Sequence, residues 1–249
     1  MPHRFLVVRI EAPMVAFGDV MIDGLGRIRE MPSQSAVSGL LANALGVRRE
    51  AYDRLSRMQA RLRFGCRLDA ASDRFTDFQT AQLGKNDRAW STHGFVHERA
   101  GGIQTYDSPH IREREYDCSV RMTLTIRLVP ADEAPTLDDI AHALDWPARP
   151  LFLGRKCCLP ASRLFGGFVE AESTLDALRS LPVSGPQTSG RAPTNPIVVS
   201  IPAEGPCPVG FHEVTSTEER DWPAGVHAGL QRRYRGIVDR SWMMQPEGA

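Results

Sequence analysis

The stretch RFLVVRIEAPMVAFGD, Arg4 to Asp19, decides the fold class. Phe5, Leu6, Val7, Val8 and Ile10 form an apolar run interrupted only by Arg9, the pattern of a buried β-strand. Pro13, Met14, Phe17 and Gly18 follow, and they suit neither a tight turn nor a helix. These residues predict a first strand over 4–10 that ends in a Pro13–Gly18 loop, with two large apolar side chains at its tip.

Downstream, Val37, Leu40, Leu41, Ala44 and Leu45 recur at the spacing of one helical face, with Ser33 or Ser35 as N-cap and Gly46 placed to end the helix. A second strand is expected at about 60–69, where Leu62, Phe64, Cys66 and Leu68 alternate with arginines. RFTDFQTAQ reads as a strand, and so does IREREYDCSVRMTLTIRLV, with Tyr116, Cys118, Val120, Met122, Leu124 and Ile126 on one face. Between them lies a long Gly-rich, polar connection, read as a protruding hairpin inserted at about 77–115. A helix at about 136–144, a short helix near Thr174–Leu181 and a Pro/Gly/Ser-rich loop precede the last strands, IVVSI, GFHEVTS and YRGIVDRSWMM. The order strand–helix–strand–strand–helix–strand predicts an α+β, ferredoxin-like sheet over 1–205, with 206–249 as an extension packed on the same domain.

Composition narrows the function classes. A formal net charge of zero argues against bulk attraction to nucleic acid or membrane, yet the charge is segregated. Residues 1–65 hold ten arginines and six acids, whereas Glu213, Glu218, Glu219 and Asp221 make the tail acidic. Lys85 and Lys156 are the only lysines. Arginine's planar fork suits phosphates and base edges, although high-GC coding produces the same bias. The chain has no apolar run long enough for a membrane helix and no signal peptide, and its five cysteines lack CxxC spacing. These features predict a cytoplasmic protein without a disulfide framework, zinc or other cofactor.

No GxSxG, HExxH, Walker-type or GxGxxG motif occurs in a fitting context. His93 and His97 share an i,i+4 spacing in a Gly-rich loop, and His110 stands near Arg112 and Arg114 without an evident partner base. Three stretches suit phosphate instead. Ser33, Gln34, Ser35 and Ser38 open a helix whose N-terminal N–H groups attract anions, or they simply cap it. Gly154, Arg155 and Lys156 pair backbone freedom with charge, or form an exposed basic turn. The long hairpin interleaves Lys85, Arg88, Arg112 and Arg114 with Trp90, Phe95 and Tyr106, as a single-stranded RNA binder or a solvated flap would.

Together these stretches resemble the CasD subunits of type I-E CRISPR Cascade, members of the RAMP superfamily. The likeness runs through Ala12-Pro13-Met14-Val15-Ala16-Phe17-Gly18, Pro32-Ser33-Gln34-Ser35, Ser38-Gly39-Leu40-Leu41, Leu45-Gly46, Arg114-Glu115-Tyr116 with Cys118, and Leu153-Gly154-Arg155-Lys156-Cys157. It covers roughly residues 4–170 and fades in the last 50 or so; Asp117 stands where the family often has an apolar residue. The resemblance implies an RRM-like domain with a hairpin thumb. Such a subunit caps the repeat-derived 5′ handle of CRISPR RNA, touches the CasC backbone subunit, has the large CasA subunit docked at the same end, and uses its thumb to interrupt guide–target pairing at the start of the guide. Precursor cleavage belongs to a separate subunit, so no catalysis is expected. Arg9, Met14 and Phe17 join the candidate RNA contacts, the last two as a platform for a handle base or as a plug at the sheet edge. A sister branch in type I-C cleaves precursor RNA itself without metal. Its Tyr with adjacent Lys-His pattern is missing around Tyr106 and Lys85. A general RRM-like RNA binder is a third reading, against which stands the lack of an RNP-type aromatic strand motif.

Overall fold

A computed structural model describes residues 2–71, 73–82, 88–90, 95–97, 109–183 and 196–244. Strand β1 (His3–Val15) is followed by the hairpin strands β2 (Phe17–Ile22) and β3 (Leu25–Arg29), then helices α1 (Gln34–Ala44) and α2 (Tyr52–Arg61). Next come β4 (Leu62–Ala70), β5 (Arg74–Ala81), the paired two-residue strands β6 (Ala89–Trp90) and β7 (Val96–His97), and β8 (His110–Leu128). The chain continues through α3 (Leu137–Asp145), β9 (Phe165–Ala171), α4 (Thr174–Ser180) and β10 (Ile197–Pro202). It ends with β11 (Phe211–Thr217), the paired β12 (Arg220–Asp221) and β13 (Val226–His227), β14 (Leu230–Val238) and a 3-10 turn at Arg240–Met244.

One sheet organises the molecule, in the order β11–β14–β10–β4–β8–β1–β9. The half that ends at the β9 edge, β4–β8–β1–β9, is antiparallel throughout, joined by the α1–α2 and α3 crossovers. β8 is 19 residues long and divides its partners. Residues from Asp117 to Leu128 pair with β1 and β4, while His110–Asp117 pair with β5, and Glu113 and Arg114 pair in parallel with β3. Ser119, at φ +49°, marks the place where β8 exchanges β5 for β4.

Strand alternation divides the core. Leu6, Val8 and Ile10 of β1, Phe64 of β4 and Met122, Leu124 and Ile126 of β8 pack against Val37, Leu41, Met58, Ile140 and Leu144 from α1–α3. Ser33 caps α1 by accepting from the Ala36 N–H at 3.2 Å, and Gly46 follows the helix at φ +71°. Thr136 and Asp139 form a capping box on α3. The opposite sheet face is closed by α4: a side chain at Gly65 would meet Thr174 at 2.5 Å and Leu178 at 2.8 Å.

Several expectations change. The first strand does not stop at Ile10, and there is no Pro13–Gly18 loop; β1 stays paired to β8 through Met14↔Cys118 and Val15↔Asp117, and only Ala16 separates it from β2. Helix α2 and the β2–β3 hairpin were not foreseen. The turn Asp23–Gly24 carries the hairpin signal, with Asp23 at φ +48°. Arg61 and Arg67, expected to alternate outward, are fully buried. The final predicted strand stops at Val238 and gives way to the 3-10 turn. The Pro/Gly/Ser-rich stretch over 184–195 lies outside the described residues.

Arg67 shows why such burial is tolerated. Its guanidinium pairs with Asp69, which also accepts from Thr123 at 2.8 Å, and donates to the carbonyls of Leu178, Leu181 and Pro182 at the end of α4. Arg67→Ala leaves Asp69 without its cation and α4 without its C-terminal donor, so a loss of about 3–5 kcal/mol is expected. Urea unfolding measures it; a loss within the ±0.5 kcal/mol of an ordinary surface change contradicts this role.

Candidate nucleic-acid interface

The ladder between β5 and the first half of β8 sorts its side chains by alternation. One face holds Tyr116 opposite Phe75, Arg114 opposite Asp77 and Arg112 opposite Gln79. The other holds Asp117 opposite Arg74, Glu115 opposite Thr76 and Glu113 opposite Phe78. The acids are neutralised locally. Arg74 donates to Asp117 at 2.9 Å, and Glu115 accepts from the Ile28 N–H at 3.1 Å with Arg27 at 3.7 Å. One face of β8 therefore carries Arg112, Arg114 and Tyr116 and the other Glu113, Glu115 and Asp117, while β5 adds Phe75 and Asp77 to the first face and Arg74 and Phe78 to the second.

The loop after Leu151 completes the basic face. Arg155 donates to the carbonyl of Glu115 at 2.8 Å and to that of Gly26 at 3.1 Å, and its guanidinium lies 4.7 Å from the Tyr116 ring centre. Arg114 arrives from β8: a Cβ built at Gly26 would lie 2.8 Å from its Nη1 and 3.0 Å from Nη2 of Arg155. Two guanidinium groups thus converge over one glycine of β3. Beside them, the Phe75 ring is 6.3 Å from Tyr116 and remains 49% exposed. Burial pushes the Tyr116 phenol above its ordinary range, opposed by Arg155. Lys156, Arg112 and Arg88 are exposed, and Arg112 donates to the Ile111 carbonyl at 2.8 Å.

Other candidates make contacts within the fold. The N-terminus of α1, read as an anion site, is occupied by the chain's own Glu218. Its carboxylate accepts from the Gln34 N–H at 3.2 Å and from Ser216 at 2.7 Å, and it pairs with Arg29 at 3.3 Å. The Ser35 N–H donates to the Glu218 carbonyl at 3.1 Å. Gln34 bonds the carbonyls of Gln59 and Leu62 at 2.9 and 3.0 Å. Ser33, Gln34, Ser35 and Ser38 are all buried, and among the described residues the Ser38 hydroxyl has no hydrogen-bond partner.

Gly154 does permit a close backbone approach, but to Ala16: at φ +93°, its Cβ would sit 1.9 Å from the Ala16 carbonyl oxygen. The Ala16 N–H in turn donates to Leu153 O at 3.0 Å. Phe17 is 4% exposed and belongs to the core, with half-buried Met14 packed against it, so the plug reading fits Phe17 better than the platform. Arg9 is half-buried on β1. Lys85, His93 and Tyr106 lie outside the described residues.

A cavity of about 440 Å³ joins several of these stretches. Phe17 and Gly18, Ser33 and Ser35, Gly154, and Trp222 of the C-terminal segment all line it. Sequence reasoning missed Glu218 and Trp222; the lone Trp in GluGluArgAspTrp was the available signal. Gly154→Ala adds left-handed strain to the clash with Ala16, and a loss of roughly 3 kcal/mol is expected. Thermal unfolding checks this; an unchanged melting temperature would show that the clasp does not hold the basic loop.

The family model described as CRISPR-associated protein (Cas_Cas5) matches residues 5–232. The CRISPR system Cascade subunit CasD of Escherichia coli (strain K12) is 26% identical over 191 residues, 74% of this chain and 80% of that protein. Among solved structures, a chain of a CRISPR RNA-guided surveillance complex superposes with a TM-score of 0.66 at 22% identity, covering 96% of this chain and 92% of that one. A structure described as a Cas protein gives 0.60 at 21% identity, with 96% of both chains covered.

Proposed function

Because the chain belongs to the CRISPR-associated protein (Cas_Cas5) family, we propose that it is a non-catalytic subunit of a type I-E Cascade complex that binds the 5′ handle of CRISPR RNA. The observation that carries this reading is the convergence of Arg114 and Arg155 over Gly26, beside Tyr116 and the exposed ring of Phe75. Guanidinium groups neutralise phosphates while aromatic faces accept unstacked bases, the combination that single-stranded RNA requires. Arg112 and Lys156 extend the charge along the same side as exposed phosphate contacts, and Arg155 braces the surface from beneath.

In this reading the antiparallel β4–β8–β1–β9 core is the ferredoxin-like RAMP unit, and the β5–β8 ladder is the root of the thumb. The thumb lies against the guide near its start and interrupts pairing with target DNA. CasC adjoins the same end, where CasA docks. The general RRM reading is disfavoured because α4 covers the sheet face that such domains use, with Thr174 and Leu178 over Gly65. No observation favours the type I-C nuclease reading.

The test is salt-dependent binding of handle-bearing RNA by the chain together with CasC. Replacing Arg112, Arg114 and Lys156 with Ala should lower the log–log salt slope by about 2, at roughly 0.7 per phosphate contact on a single strand. A slope equal to that of the unmodified chain would remove this face from the interface.

A further inference from the structure

The 440 Å³ cavity has two unlike walls, and neither is explained by packing alone. One wall is α1, which contributes Gly39, Leu40 and Asn43. Gly39 lies within the helix, where glycine is a poor choice, and a Cβ built on it meets no atom within 4 Å. Nothing among the described residues requires a glycine there. The helix backbone is left bare toward open space.

The other wall is held in place by several contacts. The Gln59 side chain of α2 pairs with the Arg220 backbone in both directions, at 3.1 and 3.2 Å. Asp221 closes the following turn by accepting from the Ala224 N–H at 2.9 Å, while its carbonyl accepts from Gly225 at 2.8 Å. The wall thereby fixes Trp222, whose ring lies 5.6 Å from the Arg220 guanidinium. The Trp222 indole N–H is buried and, among the described residues, has no acceptor. A buried donor without a partner carries a penalty that a ligand acceptor removes. Phe152 and His227 complete a lining that is mainly apolar with a few polar groups, as small-molecule sites are.

We propose that this cavity binds one planar heterocyclic base, with the ring against Trp222, the bare backbone at Gly39 giving it room, and a ring nitrogen or carbonyl accepting from the indole N–H. The base comes from the bound RNA. This rests on the RNA-binding reading, because Gly154 of the cavity wall is followed directly by Arg155 and Lys156 on the basic face. A strand that lays its phosphates along that loop can turn one base into the cavity.

The experiment measures the affinity of the full chain, with CasC, for handle RNA and for a series in which each handle nucleotide in turn is made abasic. Gly39→Ala should raise the urea midpoint, because alanine favours the helix, yet weaken binding. Gly39→Leu should weaken it further. Trp222→Ala should lower affinity about tenfold, and Trp222→Phe should retain most of it. One abasic position should cost the unmodified chain about the same factor and have no further effect in Trp222→Ala. Undiminished binding by Gly39→Ala and Gly39→Leu, or losses that add at every abasic position, would overturn the proposal. Adenosine 5′-monophosphate separates the two sources of a base. If it binds in the cavity and Gly39→Leu blocks it, while no abasic position couples to Trp222, the RNA assignment is overturned and a free nucleotide takes its place. Failure of the unmodified chain to bind handle RNA at all would count against the proposed function; binding without coupling would count against the cavity alone.

Discussion

The backbone hydrogen bonding of β8 is the constraint on which the rest of the structure depends. Nineteen residues run as one strand, but no single partner follows them along their length. The C-terminal half is sandwiched between β1 and β4 and alternates Val120, Met122, Leu124 and Ile126 into the core beneath α1–α3. The N-terminal half extends past β4 and is held by β5 on one edge and β3 on the other. Because side chains alternate with a period of two, Arg112 and Arg114 must emerge on the face on which Tyr116 is buried at the edge of the core, and Glu113, Glu115 and Asp117 lie on the other. The basic face is therefore a consequence of the same strand that organises the core. Ser119, in the left-handed region, lies at the exchange between the two sets of partners.

Two contacts inside the chain decide which polar features remain for a ligand. Glu218 places a carboxylate at the start of α1, with Arg29 and Ser216 around it, and the helix dipole is satisfied from within. Gly154 rests on the Ala16 carbonyl and holds the basic loop against the β1–β2 corner. Arg155 then turns inward to the carbonyls of Gly26 and Glu115, leaving Lys156 exposed beside it. The segment around Glu218 and Trp222, which the sequence motifs did not reach but the family model over residues 5–232 includes, thus seals the helix terminus and walls the cavity with Trp222.

Much of the core was legible because its periodicity is strong. Val37, Leu41 and Ala44 mark α1, and the alternation from Tyr116 to Ile126 marks β8. Helix α2 was hidden because its buried apolar residues are only Leu55 and Met58, three positions apart. The β2–β3 hairpin was hidden because β2 is exposed after Phe17 and offers no alternation. Arg61 and Arg67 looked like solvent-facing charges, since a sequence does not display the distant carbonyls and carboxylate that make their burial tolerable. The basic site was partly legible for the opposite reason. Arg112 and Arg114 lie two apart on a strand and must share a face, whereas the meeting of Arg114 with Arg155 depends on a loop about forty residues away.

We propose that handle RNA lies across the Arg112–Tyr116 face and the 154–156 loop, and not on the broad sheet. Ultraviolet crosslinking of handle RNA to the chain assembled with CasC, followed by mass-spectrometric mapping of crosslinked peptides, tests this most directly. The predicted result is crosslinks in peptides that carry Phe75, Tyr116 and Lys156. Crosslinks confined to β10, β11 and β14, with none in those peptides, would contradict it.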